Sequence, residues 1–588
     1  MKLSDYIVDF LVGQGVTHTF GITGGAIIHV LDSIYKNKDI KHICTEHEQG
    51  AAMAADAYSR IKGNLGVGIA TSGPGATNLL TGVCCSYYDS IPTMFLTGQV
   101  PRSQLKGNSK SRQIGFQETD IISIFSPITK YSVLVNDPEK IKYELEKANY
   151  LAKNGRPGPV LLDIPDDIQR EDINPSNLQG YIPKERRGDL KKLEEKVKDT
   201  VNLIKNSERP VIIFGGGIKL AKCENKAKNL VEKLQIPTAL TWATKDMIPY
   251  NHPLVIEGFG VSSERAGNFA VQNSDLVVAI GTRLDTHEVG NNASTFARDA
   301  KKVVVDIDIS ELEKYSKRGM FVDILINSDV HSFLDVMNKK IKGIKTKNIS
   351  NWIGSINGWK KKYPICLPEY YDQKDNVNPY VFMDVFSKEA KEGDIIITDA
   401  GGNLTWTMQG HRVKTDQRLF SAFNHSPMGY SLPASIGAHY ASKKPIKCII
   451  GDGGIQMNIQ ELATIRYNNL PIQIFLFNNN GYGIIQQTQD TWMGSRYAAS
   501  NPDSGVAIPN LVNIANAYEI PTLTIKNHAE LEKGIKETMA YKDGPILCNV
   551  EINQHQKIMP KLEFGKPIED SSPLLSREEF EKQMIIKS

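Results

Sequence analysis

Residues 451–483, GDGGIQMNIQELATIRYNNLPIQIFLFNNNGYG, constrain this chain more than any other stretch. An apolar run over 446–450 leads into Gly-Asp-Gly-Gly and reads as a buried strand. Helical spacing follows over 458–467. A second apolar run, 472–477, reads as the next strand and ends on Asn478-Asn479-Asn480-Gly481. In an open parallel sheet such strands end side by side, at the edge where ligands bind. Asp452 and Asn479 would then face one point. A carboxylate, an amide oxygen and nearby backbone carbonyls are hard oxygen donors. They suit Mg²⁺, which keeps few protein ligands and takes the rest from phosphate and water. The glycines let backbone approach a diphosphate closely. An ordinary turn with a helix cap is the competing account of Gly-Asp-Gly alone, and the asparagines ending the following strand weigh against it.

A chain of 588 residues exceeds one core and implies three or four domains. A net charge of +3, with Lys and Arg scattered, gives no footprint for nucleic acid. The seven cysteines lack metal-ligand spacing and point to a reducing, cytoplasmic setting. No apolar run approaches the roughly 20 residues needed to span a membrane, and the N-terminal MKLSDYIVDFLVGQG reads as a surface helix.

Helical stripes and short apolar runs alternate along most of the chain, the pattern of doubly wound parallel sheets. Strands are expected at 17–21, 42–45, 66–71, 93–97 and 160–164; at 210–214, 238–240, 276–280 and 303–306; and at 395–398, 448–450, 472–477 and 547–550. Stretches 170–187 and 343–375 read as linkers. The fold class is therefore α/β, with three doubly wound parallel-sheet domains at 1–170, 189–343 and 376–555. A polar tail, 556–588, follows, with a short helix over 576–586.

Several strand ends carry candidate chemistry. Thr45-Glu46-His47-Glu48-Gln49-Gly50-Ala51 opens an Ala-rich helix, and acids at a helix N-terminus are ordinary. Thr71-Ser72-Gly73-Pro74-Gly75-Ala76-Thr77-Asn78 sits at a strand-to-helix corner. Taken with residues 451–483, these segments resemble the thiamine diphosphate enzymes, whose His-Glu-Gln-Gly-Ala and Gly-Asp-Gly motifs they match in order and spacing. The resemblance spans about residues 1–555 and implies pyrimidine-binding, middle and diphosphate-binding domains. Glu48 would hydrogen-bond N1′ of the aminopyrimidine and favour the tautomer that deprotonates C2, while the cofactor carries the hard chemistry. Asp452, Asn479 and Gly481 would hold Mg²⁺. Gly73, Asn78, Gly401, Gly402, Asn403, Gly451, Gly453 and Gly454 would contact the cofactor, and Met428 would wedge between its rings. Gly24 and Gly25 resemble the turn beside the reacting carbon.

Gly115-Phe116-Gln117-Glu118-Thr119 looks like the acetohydroxyacid (acetolactate) synthase branch, which places Phe116 at the substrate and Gln117 against the reacting group. In the middle domain Gly215, Gly216, Arg283 and Asp306 resemble that branch's FAD site, where the flavin does no redox work. A domain that keeps the fold without flavin is the alternative. The resemblance also implies a homodimer or homotetramer, with Glu48 and Asp452 supplied by different chains.

Two departures concern the second substrate. His287 stands where that branch has an arginine, and Thr488 where it has a tryptophan. Histidine lacks the planar fork that reads a carboxylate. The expectation is therefore a carboligase that decarboxylates pyruvate or a similar 2-oxo acid and prefers an acceptor bulkier than pyruvate, such as a keto-sugar nucleotide, which the tail also suggests. True acetolactate synthase, a simple decarboxylase or oxidase, and a nucleotide-binding regulatory subunit are the alternatives.

Overall fold

The computed structural model describes residues 1–183 and 189–586. Residues 184–187 of the expected linker and the last two residues of the tail lie outside the described ones. Three six-stranded sheets carry the chain, and every pairing within them is parallel. The first holds β1 (His18–Gly21), β2 (Lys41–Cys44), β3 (Gly66–Ala70), β4 (Thr93–Gln99), β5 (Tyr131–Leu134) and β6 (Val160–Pro165) in the order β2-β1-β3-β4-β6-β5. The second holds β7 (Pro210–Phe214), β8 (Thr238–Leu240), β9 (Val255–Glu257), β10 (Leu276–Ile280), β11 (Lys301–Asp306) and β12 (Ile324–Asn327), ordered β12-β11-β10-β7-β8-β9. The third holds β13 (Ile395–Thr398), β14 (Arg418–Phe420), β15 (Ile446–Gly451), β16 (Ile472–Asn478), β17 (Thr522–Ile525) and β18 (Ile546–Glu551), ordered β14-β13-β15-β16-β18-β17.

The first and third sheets thus share one strand order, and the middle sheet has the order of dinucleotide-binding folds. The strand order reverses between β1 and β3 in the first sheet, between β7 and β10 in the second and between β13 and β15 in the third. Ligands bind in the crevice at such reversals.

Five strands were not expected from the sequence: β5, β9, β12, β14 and β17. All five lie at the sheet edges. They are short and partly exposed, so their apolar runs are broken. The central strands are buried on both faces and read as continuous apolar runs, as parallel sheets require. The expected linker 343–375 is not irregular throughout. It contains the helix Ser350–Lys362, whose Trp352, Ile356 and Trp359 are buried in the middle domain's core. The helix read over 458–467 is shorter, Glu461–Tyr467.

The first and third sheets share one core. The helix Glu48–Lys62 packs on Ser431–Ser442 so closely that a Cβ on Gly437 would meet the Ala54 carbonyl at 1.9 Å. Buried Tyr430 donates its hydroxyl to Asp56 at 2.5 Å, and Arg60 bridges Asp56 and Asp89. Glu461 accepts the N–H groups of Glu46 and His47, both at 3.1 Å. That bond ties the N-terminus of the Glu48 helix to the third domain. The tail runs back over the middle domain, where β19 (Lys561–Leu562) and β20 (Ser571–Ser572) pair antiparallel. Its Ile568 and Phe580 enter that domain's core, and its helix is Arg577–Gln583.

Candidate active site

At the β1/β3 reversal, the turn after β1 meets the turn after β3. A Cβ on Gly24 would lie 2.4 Å from Cβ of Thr71, so only glycine fits there. Gly25 opens the short turn Gly25–Ile27. Glu48 begins its helix and is buried, and its Oε2 accepts the Asn78 side-chain amide at 2.9 Å. Gly73 lies against the backbone of Gln117, which adopts a left-handed φ of 63°. The structure thus gathers Gly24, Glu48, Gly73, Asn78 and Gln117 at one sheet edge. Phe116 extends from it and is 83 % exposed.

The β13/β15 reversal carries the second group. Gly401 and Gly402 start the helix after β13, and Asn403 Oδ1 stands 3.2 Å from where a Cβ on Gly451 would sit. The buried Asp452 carboxylate accepts the Gly453 N–H at 2.7 Å, the Asn479 N–H at 3.1 Å and the Gly481 N–H at 3.2 Å. Asp452, Asn479 and Gly481 therefore meet across β15 and β16. Burial outweighs these donors and pushes the Asp452 carboxyl up to about 6. Gly453 is pressed between Tyr482 and Met428: a Cβ there would lie 2.4 Å from the Tyr482 ring and 3.2 Å from the Met428 methyl. Gly454 follows in the same turn, against Asp399. Fully buried Asp399 fixes the Met428 segment by accepting the N–H groups of Gly429 at 2.8 Å and Ser431 at 3.1 Å.

These residues fit the diphosphate and metal they were expected to hold. The turn is closed to any side chain at Gly453, and three N–H groups orient the carboxylate while leaving it a lone pair. Among the described residues no group of three or more His, Cys, Asp or Glu could hold a metal ion. One carboxylate with an amide and a carbonyl is the sparse oxygen set that Mg²⁺ uses beside a phosphate.

At the β7/β10 reversal, the Gly215 N–H donates to the Ile280 carbonyl at 3.0 Å, and that of Gly217 to Gly281 at 2.9 Å. A cavity of about 1650 Å³ opens here, lined by Gly216, Arg283, Asp306 and His287 among others. It reaches Gly401, Ser426 and Ile484 of the third domain. Asp306 is buried, which pushes its carboxyl up to about 6. Arg283 pairs with Asp285 at 3.3 Å and also donates to Asn424. His287 is half-buried with its ring 4.2 Å from that of Trp242, and desolvation holds it below the usual histidine range and so neutral at pH 7. Thr488 is half-buried on the helix Gly483–Trp492 and donates its hydroxyl to Ile484 O at 3.0 Å. Ile484 lines the cavity, and Thr488 is not among its lining residues.

Three family models match successive parts of the chain: the N-terminal TPP-binding domain of thiamine pyrophosphate enzymes over residues 1–124, their central domain over 197–337 and their C-terminal TPP-binding domain over 399–550. The acetolactate synthase large subunit of Porphyra purpurea is 34 % identical over 566 residues, covering 95 % of this chain and 93 % of the relative. The chain belongs to the thiamine diphosphate-dependent enzymes of the acetolactate synthase type. The acetolactate synthase isozyme 1 large subunit of Escherichia coli (strain K12) is 32 % identical, with 96 % of each chain covered. A probable acetolactate synthase large subunit of Methanocaldococcus jannaschii is 34 % identical, covering 94 % of this chain and 92 % of its own. No helix among the described residues is long and apolar enough to cross a membrane.

Sequence reasoning missed Trp242 against His287, Glu461 beneath the Glu48 helix, and Asn458, whose amide donates to Gly429 O at 2.8 Å. These contacts join distant segments, and no local pattern marks them.

Proposed function

We propose that this enzyme decarboxylates pyruvate or a similar 2-oxo acid and transfers the acyl unit to a second 2-oxo acid, as acetolactate synthases do. The supporting observation is the pair of matched switch points: Glu48 at one and Asp452 with Asn479 at the other, on sheets of identical strand order. When bound, thiamine diphosphate supplies the carbon nucleophile and the electron sink for decarboxylation. Asp452, Asn479 and Gly481 would hold the Mg²⁺ that neutralises a bound diphosphate, and Met428 would pack against the cofactor. Glu48 holds a proton at N1′, with Asn78 keeping the carboxylate oriented. Gln117 contacts the reacting group and Phe116 the substrate.

A homodimer or homotetramer completes the site. Phe116, Ile114, Leu80 and Tyr88 of the first domain and Met457, Ile485 and Trp492 of the third are large apolar side chains left exposed. A partner subunit would bury them. Seven free cysteines support a reducing, cytoplasmic setting. The cavity at the middle sheet's reversal supports FAD held by Gly215, Gly216, Arg283 and Asp306. Purified protein should then be yellow and release flavin on denaturation. Colourless protein that takes up none on incubation would leave the fold without its flavin.

The neutral, half-buried His287 favours a second reading, in which a bulkier ketone or aldehyde, such as a keto-sugar nucleotide, is the better acceptor. An arginine's charged hydrogen bonds to a carboxylate contribute about 1.5–3 kcal/mol, which is roughly one to two orders of magnitude in selectivity. The test compares kcat/KM for acetolactate formation with that for products of an acceptor panel. Efficient acetolactate formation with a failing panel establishes the first reading. The reverse establishes the second, and a combined His287→Arg and Thr488→Trp variant should then swing the preference toward pyruvate.

A further inference from the structure

The tail carries a cation to the end of the cavity where His287 offers none. Residues 557–562 run along the third domain. Trp406 donates to Lys557 O, the Ile558 N–H donates to Gln487 at 2.9 Å, and Gln409 donates to Pro560 O at 2.8 Å. The chain then crosses to the middle domain, where the Leu562 N–H donates to Val261 O at 2.7 Å. The Val261 N–H in turn donates to His287 O at 2.9 Å. Farther on, Arg265 donates to the Ser571 and Pro573 carbonyls, Asn268 to Ile568 O at 2.8 Å, and Gln272 to Glu569 at 2.6 Å. The strap is therefore fastened at both ends, and Lys561 sits between them, two backbone hydrogen bonds from His287.

Lys561 lines the cavity together with His287, Gly401 and Ile484. Arg283, which also lines the cavity, is already engaged by Asp285 and Asn424. No carboxylate or hydrogen-bond acceptor among the described residues reaches the Lys561 side chain, which is half-buried; burial alone lowers its pKa from the usual lysine value. A half-buried ammonium without a protein partner is costly to keep unless a ligand supplies the anion.

We propose that Lys561 binds the anionic group of the acceptor, doing from the tail what a middle-domain arginine would do from the position of His287. This rests on the carboligase reading. The anion is the carboxylate of a second 2-oxo acid or the phosphate of a sugar nucleotide, and both present oxygens to one ammonium. As a point charge on a flexible stem, lysine accepts either shape without imposing the bidentate geometry of an arginine fork.

The test uses the full-length enzyme loaded with cofactor, pyruvate as donor, and three acceptors: 2-oxobutyrate, a keto-sugar nucleotide and a neutral aldehyde. Lys561→Met should lower the ratio of kcat/KM for an anionic acceptor over the neutral aldehyde by about 10- to 100-fold, the loss of one charged hydrogen bond. The change should fall in KM, and Lys561→Arg should restore most of it for 2-oxobutyrate. The acceptor whose ratio collapses names the source of the anion. Calorimetric binding of lactate, a carboxylate that cannot react, should weaken in parallel if that source is a carboxylate. An unchanged ratio for both anionic acceptors overturns the proposal. So does an equal loss with all three acceptors, or loss of flavin from Lys561→Met, which would assign the ammonium to the cofactor's phosphates. If the wild-type enzyme releases no CO₂ from any 2-oxo acid, the carboligase reading itself falls and takes the acceptor role with it.

Discussion

Glu48→Gln should lower turnover by about two or more orders of magnitude, the range for losing positioned acid–base help. The amide keeps the size of the side chain, so the bond from Asn78 can be replaced and the fold should survive. What it cannot do is share a proton with N1′ as a carboxylate does. Cofactor affinity should change little, because the diphosphate anchor lies at the other sheet. Steady-state kinetics with a parallel cofactor titration separates the two effects, and near-normal turnover would remove Glu48 from this role.

Asp452→Ala should act on the opposite quantity. The carboxylate organises three N–H groups at the ends of β15 and β16 and is the only anionic side chain among the three proposed metal ligands. Loss of outer-shell partners alone costs about 10- to 100-fold in metal affinity, so a direct ligand should cost about 100-fold or more. Titration of thiamine diphosphate at fixed Mg²⁺ measures it, and unchanged affinity would place the anchor elsewhere. The two variants together test the assembly. If Glu48 and Asp452 of one site come from different subunits, a mixed dimer carries one site with both residues intact. Co-expressed variants should then regain about a quarter of wild-type activity, as random pairing of a two-fold dimer dictates. Activity no higher than that of either variant would put both residues on one chain.

The parts legible in the sequence are those set by short-range physics. β15 and β16 are buried on both faces and so appear as unbroken apolar runs, and a sharp turn after a strand needs glycine. Those two signals place Asp452 and Asn479 together before any coordinates exist, and the Asn479 N–H does reach the Asp452 carboxylate at 3.1 Å. The same logic fails at the edges. β5, β12 and β17 are partly exposed and their apolar pattern is interrupted, so the sequence does not mark them as strands. The linker helix is hidden by its lysines, of which Lys361 and Lys362 face water while Trp352 and Trp359 face the core.

By itself the sequence determined the fold class, the family and the strand ends proposed to hold the cofactor, because each depends on residues close together in the chain. Only the tertiary structure decided what meets across the domains. The hold of Glu461 on the N-terminus of the Glu48 helix spans 414 residues, and Trp242 fills space beside His287. The strap that carries Lys561 to the cavity is a polar tail when read locally. Its place follows from hydrogen bonds to Val261, Asn268 and Gln272, all some 300 residues earlier. Such contacts form only after the sheets have packed, since closing loops of that length gives no return until both surfaces exist.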